Sequence, residues 1–120
     1  MQPSDLIIEV VRGFLSLDKM DTTFDNEILP HINSAVGKIY QNGACKSVIV
    51  NDTTTWADIS IDGTVNADYF TMIPLYISMN VKLLFDPPPP SMVEPYQRIL
   101  TEHLWRLKIA YETREVVTNE

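Results

Sequence analysis

The residues of this chain with the most chemical potential are Cys45, His31 and His103, with Asp52 and Asp58 as acids that could complete a nucleophilic or acid–base set. Their placement argues against that use. His31 falls inside a predicted helix and His103 beside the apolar stripe of another, where histidine is ordinarily a packed or boundary residue. Cys45 follows a helix end, whereas thiols are activated at helix starts or beside cations. As the single cysteine it has no partner for an internal disulfide, which fits a reducing cytoplasm, and no second Cys for a redox or metal motif. There is no paired-His helix motif, and four glycines form no phosphate-cradling loop. No catalytic residue, metal ligand or cofactor is therefore expected, and a hydrolase built on Cys45 is the weakest of three functional readings.

The charge balance speaks to partners. Nine Lys and Arg stand against sixteen Asp and Glu, a formal charge of -7, which is unfavourable for a protein that grips phosphates. Lys19, Lys38, Lys46 and Lys82 are scattered among acids. Only Arg98, Arg106, Lys108 and Arg114 gather on one element, as the negative end of a helix dipole favours. A DNA-packaging or regulatory protein that binds nucleic acid through these four is the second reading. Hydrophobic residues make up 45% and charged residues 21%, ordinary globular usage that suits one domain with its own core. No basic segment precedes a long apolar run and no stretch reaches membrane-spanning length, so a soluble, unexported protein is expected.

The elements that position these residues are mostly helices. The central stretch runs from Ile77 to Asp86, where Ile77, Val81, Leu84 and Phe85 recur at helical spacing and Asn80 and Lys82 fall outside the stripe. Pro87 to Pro90 then stop the helix and predict a stiff extended spacer, with a second long helix starting at Ser91. Upstream, Ser4 is a candidate cap for a helix whose apolar face is Leu6, Ile7, Val10, Val11, Phe14 and Leu15. Thr22 and Asp25 resemble a capping box for the next, which buries Phe24, Ile28, Ile32, Ala35, Val36, Ile39 and Tyr40, carries Pro30 inside, and ends at Asn42-Gly43. Residues 44–67 read as a long loop with a short strand or hairpin around Val48 to Val50 and a turn at Asp62-Gly63. Trp56 pins that loop to the core.

Asp68 or Thr71 caps the third helix, and with Thr71 as cap Pro74 lies harmlessly in the first turn. Ser91 and Glu94 suggest a capping box for the last helix, with Met92, Tyr96, Ile99, Leu100, Leu104, Leu107 and Tyr111 on one side and Glu102 four residues before Arg106. The fold class is thus mainly α: a small bundle of about four helices over residues 1–112, a long loop or short hairpin between helices two and three, and an extended C-terminal tail over 113–120.

The words Asp21-Thr22-Thr23-Phe24-Asp25, Ile28-Leu29-Pro30-His31-Ile32-Asn33-Ser34-Ala35, Thr55-Trp56-Ala57-Asp58, Lys82-Leu83-Leu84-Phe85-Asp86-Pro87-Pro88 and Glu102-His103-Leu104-Trp105-Arg106-Leu107 occur in this order. Together they resemble the head-tail connector (adaptor, or head completion) proteins of tailed bacteriophages, over Ser4 to Tyr111. An extra turn near Gly63 and the length of the proline run depart from the pattern and bear on loop geometry.

The resemblance implies a non-enzymatic virion protein, made in the host cytoplasm, that forms a homo-oligomeric, dodecameric ring beneath the portal protein at the head-tail junction. Such a ring extends the DNA channel, lets DNA pass without sequence-specific binding, and docks a stopper or tail connector protein. On this reading Thr113, Arg114, Glu115, Val116, Val117 and Thr118 form a portal-binding tail, and Trp56, Phe85, Asp86, Pro87, Leu104 and Trp105 are structural anchors.

Overall fold

A fourteen-residue helix with a single charged side chain needs most of its surface covered, and the computed structural model, which describes residues 2–61 and 70–113, places it at the centre. This helix, α4 (Met72–Phe85), buries Ile73, Tyr76, Ile77, Ser78, Met79, Asn80 and Val81. Those positions are spread around the helix rather than along one stripe, so it needs neighbours on several sides. They are α1 (Ile7–Phe14), α2 (Asp25–Gln41) and α5 (Pro90–Glu112), all packed against it. Thr71 is the N-cap and Pro74 the third helical residue, where a missing N–H removes nothing. The single stripe predicted for Ile77 to Asp86 is corrected: Asn80 is only 3% exposed, whereas Leu84 is 51% exposed. A stripe presumes one covered face, and α4 has several.

The proline elbow begins one residue past α4. Asp86 caps the helix with φ -137° and its carboxylate meets Lys82 Nζ at 3.3 Å. Pro87, Pro88 and Pro89 form the connector, and α5 starts at Pro90 rather than Ser91, with Pro89 as N-cap. The Ser91–Glu94 capping box does not form; Glu94 pairs instead with Arg98 at 3.3 Å. Proline at the first helical position has no donor to orphan and its φ is already helical, so it starts the helix unaided.

In the N-terminal half, Leu6 rather than Ser4 caps α1, because the backbone there is extended and bridges to Thr55. Ile7 N–H bonds Thr54 C=O at 3.0 Å and fixes the entry. Ile7, Ile8, Val11 and Leu15 are buried, while Phe14 turns outward. The helix closes with Ser16 at φ 63°, Leu17 N–H bonding Arg12 C=O at 2.9 Å and Ser16 N–H bonding Gly13 C=O at 3.1 Å, the doubled closure usually given to glycine.

Arg12, 4% exposed, grips Asp25 through Nε at 3.1 Å and Nη2 at 2.5 Å, and Lys19 C=O through Nη1 at 2.6 Å. Asp25 is therefore committed to this fork, and the Thr22–Asp25 capping box is absent; α2 begins at Asp25 with Phe24 as N-cap. A buried guanidinium without its carboxylate costs more than a lost cap, which decides the competition.

Along α2 the predicted core positions Ile28, Ile32, Ala35, Val36 and Ile39 are buried, and the helix runs through Pro30. Phe24 and Tyr40, also expected inside, are exposed. Gly43, at φ 82°, ends α2 as its position predicted, with Tyr111 of α5 lying over it.

Among the described residues no strand forms around Val48 to Val50. The side chain of Asn33 takes the place of a strand partner: its Oδ1 accepts from Val50 N–H at 2.7 Å and its Nδ2 donates to Val50 C=O and Leu29 C=O, both at 3.0 Å. Beyond it lies an extra helix, α3 (Trp56–Ile59), where Asp58 Oδ2 accepts from Thr55 N–H at 2.9 Å and Trp56 is fully buried. The described residues otherwise form the small helical bundle expected. The Asp62-Gly63 turn and the alternative Asp68 cap lie outside the described residues.

Two side chains carry these joints. Asp25→Ala strands the Arg12 guanidinium and is expected to cost about 3–5 kcal/mol in chemical denaturation. Asn33→Ala removes three hydrogen bonds and leaves Val50 unpaired, with an expected loss of about 1–3 kcal/mol in the same measurement. Wild-type midpoints in both variants would show that neither joint holds the fold.

Candidate docking surfaces

The groups with catalytic potential are packed away or committed. Cys45 is buried, its Sγ lies 3.6 Å from Val36 C=O, and burial pushes the thiol up to about 12, so no useful thiolate exists near neutral pH. Asp58 is held by the Thr55 backbone. His31 lies half-buried on α2 and His103 half-buried on α5. No group of three or more His, Cys, Asp or Glu that could hold a metal comes together among the described residues.

α5 carries the most unusual surface. Leu100 and Leu107 are buried, and Tyr96, Leu104, Ala110 and Tyr111 pack against the core beside them. Trp105, two positions from Leu107 and five from Leu100, must then point away from the core. It is 63% exposed, with Ile109 one turn further on, and with Arg98, Thr101 and Glu102 it lines a shallow outward depression. A large aromatic side chain left in water on an otherwise amphipathic helix makes this face a candidate contact surface. The anchor role expected of Trp105 is therefore corrected to an outward one.

The other expected anchors differ among themselves. Trp56 is in the core, Phe85 packs edge-on to Phe24 with centroids 5.5 Å apart, and Leu104 C=O accepts from Asn42 Nδ2 at 3.0 Å. Asp86 and Pro87 sit exposed at the elbow. Met92 and Ile99, expected on the buried side of α5, are exposed.

The cation cluster is partly neutralised. Arg98 pairs with Glu94, and Arg106 with Glu102 at 2.7 Å, each one turn apart. This leaves Lys108 as the exposed cation of the group among the described residues, since Arg114 lies outside them, and it weakens the nucleic-acid reading.

A second feature is a groove of about 600 Å³ between α4 and α5, with Lys38 of α2 at its edge. Leu83, Leu84, Leu100 and Leu104 supply apolar walls, and Tyr76 and Asn80 lie at the α4 side. Burial raises the Tyr76 hydroxyl above its ordinary value, so it stays protonated. Asn80 Oδ1 faces Lys38 Nζ at 3.4 Å, while its buried Nδ2 has no hydrogen-bond partner. Leaving such a donor unmatched costs about 1–3 kcal/mol, so the position is a liability to the isolated fold.

The sequence model of the family described as Phage connector protein matches residues 7–114, from the first residue of α1 to one residue past the cap of α5. The chain belongs to the phage connector protein family. Searches of curated proteins and of solved structures returned no significant match. The connector is thus a structural protein of the phage virion, working through contacts with portal or tail components. Among its described residues no helix is long and apolar enough to cross a membrane.

Sequence spacing contained the signal for Trp105, because it stands across the helix from the Leu100–Leu107 row. The groove had no such signal, since it forms between elements distant in the chain.

Cys45 supplies a test of the packing. The unfolded thiol releases its proton near pH 9 and the folded one near 12, so between them the unfolded state binds fewer protons. The contribution of Cys45 to stability is expected to be constant below about pH 9 and to fall between there and about 12, Tyr76 adding in the same direction. Cys45→Ala should flatten the first part of that fall. Rapid labelling of native Cys45 by a thiol reagent at pH 7 would contradict this placement.

Proposed function

We propose that this connector is the head completion adaptor of its phage: copies close into a dodecameric ring beneath the portal, extend the DNA channel and present a surface to the next neck component, a stopper or tail connector protein. The observation that carries the reading is the outward face of α5. Trp105 and Ile109 face away from a core that Leu100 and Leu107 already fill, so they are available to another chain. A closed ring of one chain needs two unlike faces on each subunit. The shallow depression beside Trp105 on the outside of α5 and the groove between α4 and α5 meet at Gln97 and Thr101 and differ in chemistry, the first aromatic, the second leucine-walled and edged by a cation.

The net charge of -7 suits a channel wall past which DNA slides, because retention on phosphates requires protein cations that displace the counterions condensed on the DNA. The pairing of Arg98 and Arg106 with glutamates one turn away serves the same end. Thr113 caps α5, so residues 114–120 leave from the end of the longest helix, and we assign to Thr113, Arg114, Glu115, Val116, Val117 and Thr118 the contact with the portal.

Deleting residues 114–120 is expected to leave the thermal unfolding midpoint within about 2 °C of wild type, since the buried cluster of the described residues is assembled between Ile7 and Leu107. The same deletion should abolish co-purification with the portal protein of the same phage. Undiminished portal binding by the shortened chain would remove the tail from the interface.

A further inference from the structure

Asn42 and Gly43 form the one Asn-Gly pair in the sequence, at the joint between the end of α2 and the last turns of α5. An asparagine followed by glycine is prone to lose ammonia, because no side chain hinders the glycine nitrogen as it turns back on the amide. In that reaction the backbone nitrogen of Gly43 bonds to Cγ of Asn42 and gives up its proton. The Cγ–Nδ2 bond breaks, ammonia leaves, and a five-membered succinimide remains. Water then opens the ring at either carbonyl, giving an aspartate or an iso-aspartate at position 42.

The fold opposes the first step. Gly43 N–H donates to Tyr40 C=O at 2.8 Å, which turns the nitrogen back along α2 rather than toward Cγ. Asn42 holds φ -82° and ψ -6° and Gly43 holds φ 82°, so ring closure requires the peptide between them to rotate. The leaving group is tied as well, since Asn42 Nδ2 donates to Leu104 C=O at 3.0 Å. The Tyr111 ring covers the turn, 3.5 Å from where a Cβ on Gly43 would stand. These last two restraints come from α5, so the peptide is free to turn only where that end of α5 has lifted away.

The same contact makes the product consequential. The amide supplies two N–H donors; a carboxylate supplies none, and against Leu104 C=O it sets acceptor on acceptor. The iso-aspartate also lengthens the main chain by one carbon at the turn that Gly43 closes. We infer that Asn42-Gly43 is a deamidation site locked by the docking of α5, and that its reaction releases the C-terminal half of that helix. Trp105 and Ile109 ride on this half, so a subunit modified before assembly presents its outer face from a loosened helix. That consequence rests on the adaptor reading, whereas the lock and its chemistry do not.

The test follows the full-length protein at mildly alkaline pH, native and in concentrated urea, by peptide mass mapping of the one-dalton gain at position 42. The native protein is expected to react at least about ten-fold more slowly than the unfolded chain. Tyr111→Ala, which uncovers the turn, should speed the native reaction several-fold. In Asn42→Asp, hydrogen exchange from Leu107 to Glu112 should rise about ten-fold while α1 exchanges as in wild type. The deamidated fraction of the wild-type protein, separated by its added negative charge, should show the same pattern and serves where the variant does not fold. Equal rates in the native and unfolded chains, or a wild-type rate in Tyr111→Ala, would overturn the lock. Unchanged exchange from Leu107 to Glu112 in the deamidated fraction would overturn the release. Portal binding enters none of these readings, so the lock and the adaptor role stand or fall separately.

Discussion

The structure depends on having to enclose α4. Its buried set, from Ile73 to Val81, runs around the whole helix, so no single partner can dry it. α2 and α5 flank it and α1 adds a third contact. At roughly 25 cal/mol for each Å² of apolar surface withdrawn from water, covering several sides of one helix outweighs what amphipathic pairing of two would yield. The proline elbow makes the arrangement repeatable. A connector of three prolines entering a proline-started helix has little freedom to lose, so α5 arrives against α4 at a set separation.

Around that centre the chain is stitched by side chains reaching backbone across long sequence gaps. Arg12 joins α1, the Lys19 turn and the start of α2. Asn33 binds the Val50 backbone as a sheet neighbour would, and Asn42 holds α5 at Leu104. Each tie satisfies polar groups that a loop-rich small domain would otherwise bury unpaired. Trp56 Nε1, Asn80 Nδ2 and His103 Nδ1 are the exceptions among the described residues. Each leaves a buried donor or acceptor unmet, a cost that the remaining packing offsets.

What could be read in advance divides along the same physics. The buried row of α2 and its glycine stop were legible because one face of that helix is covered and Gly43 alone suits a positive φ. Asn80 and Leu84 were misplaced because periodicity describes a helix with one dry side, and α4 has several. The capping boxes at Thr22 and Ser91 matched in letters only: Asp25 was taken by a buried arginine, and Pro90 started α5 one residue early. Val48 to Val50 had strand propensity, which the Asn33 amide used without a strand. Trp105 resembled an anchor by residue type, yet its offset from Leu107 already turned it outward. The family was legible from ordered words along the chain, whereas the groove, assembled from α2, α4 and α5, required the fold.

The central claim is that this chain is a passive coupling whose use begins when copies surround an axis. Electron microscopy of the intact phage particle tests it most directly. The account predicts that the helical body, recognisable by the proline elbow between α4 and α5, fits density repeated around the collar where capsid meets tail. Finding the chain at any other position in the particle, or not in the particle at all, would contradict it.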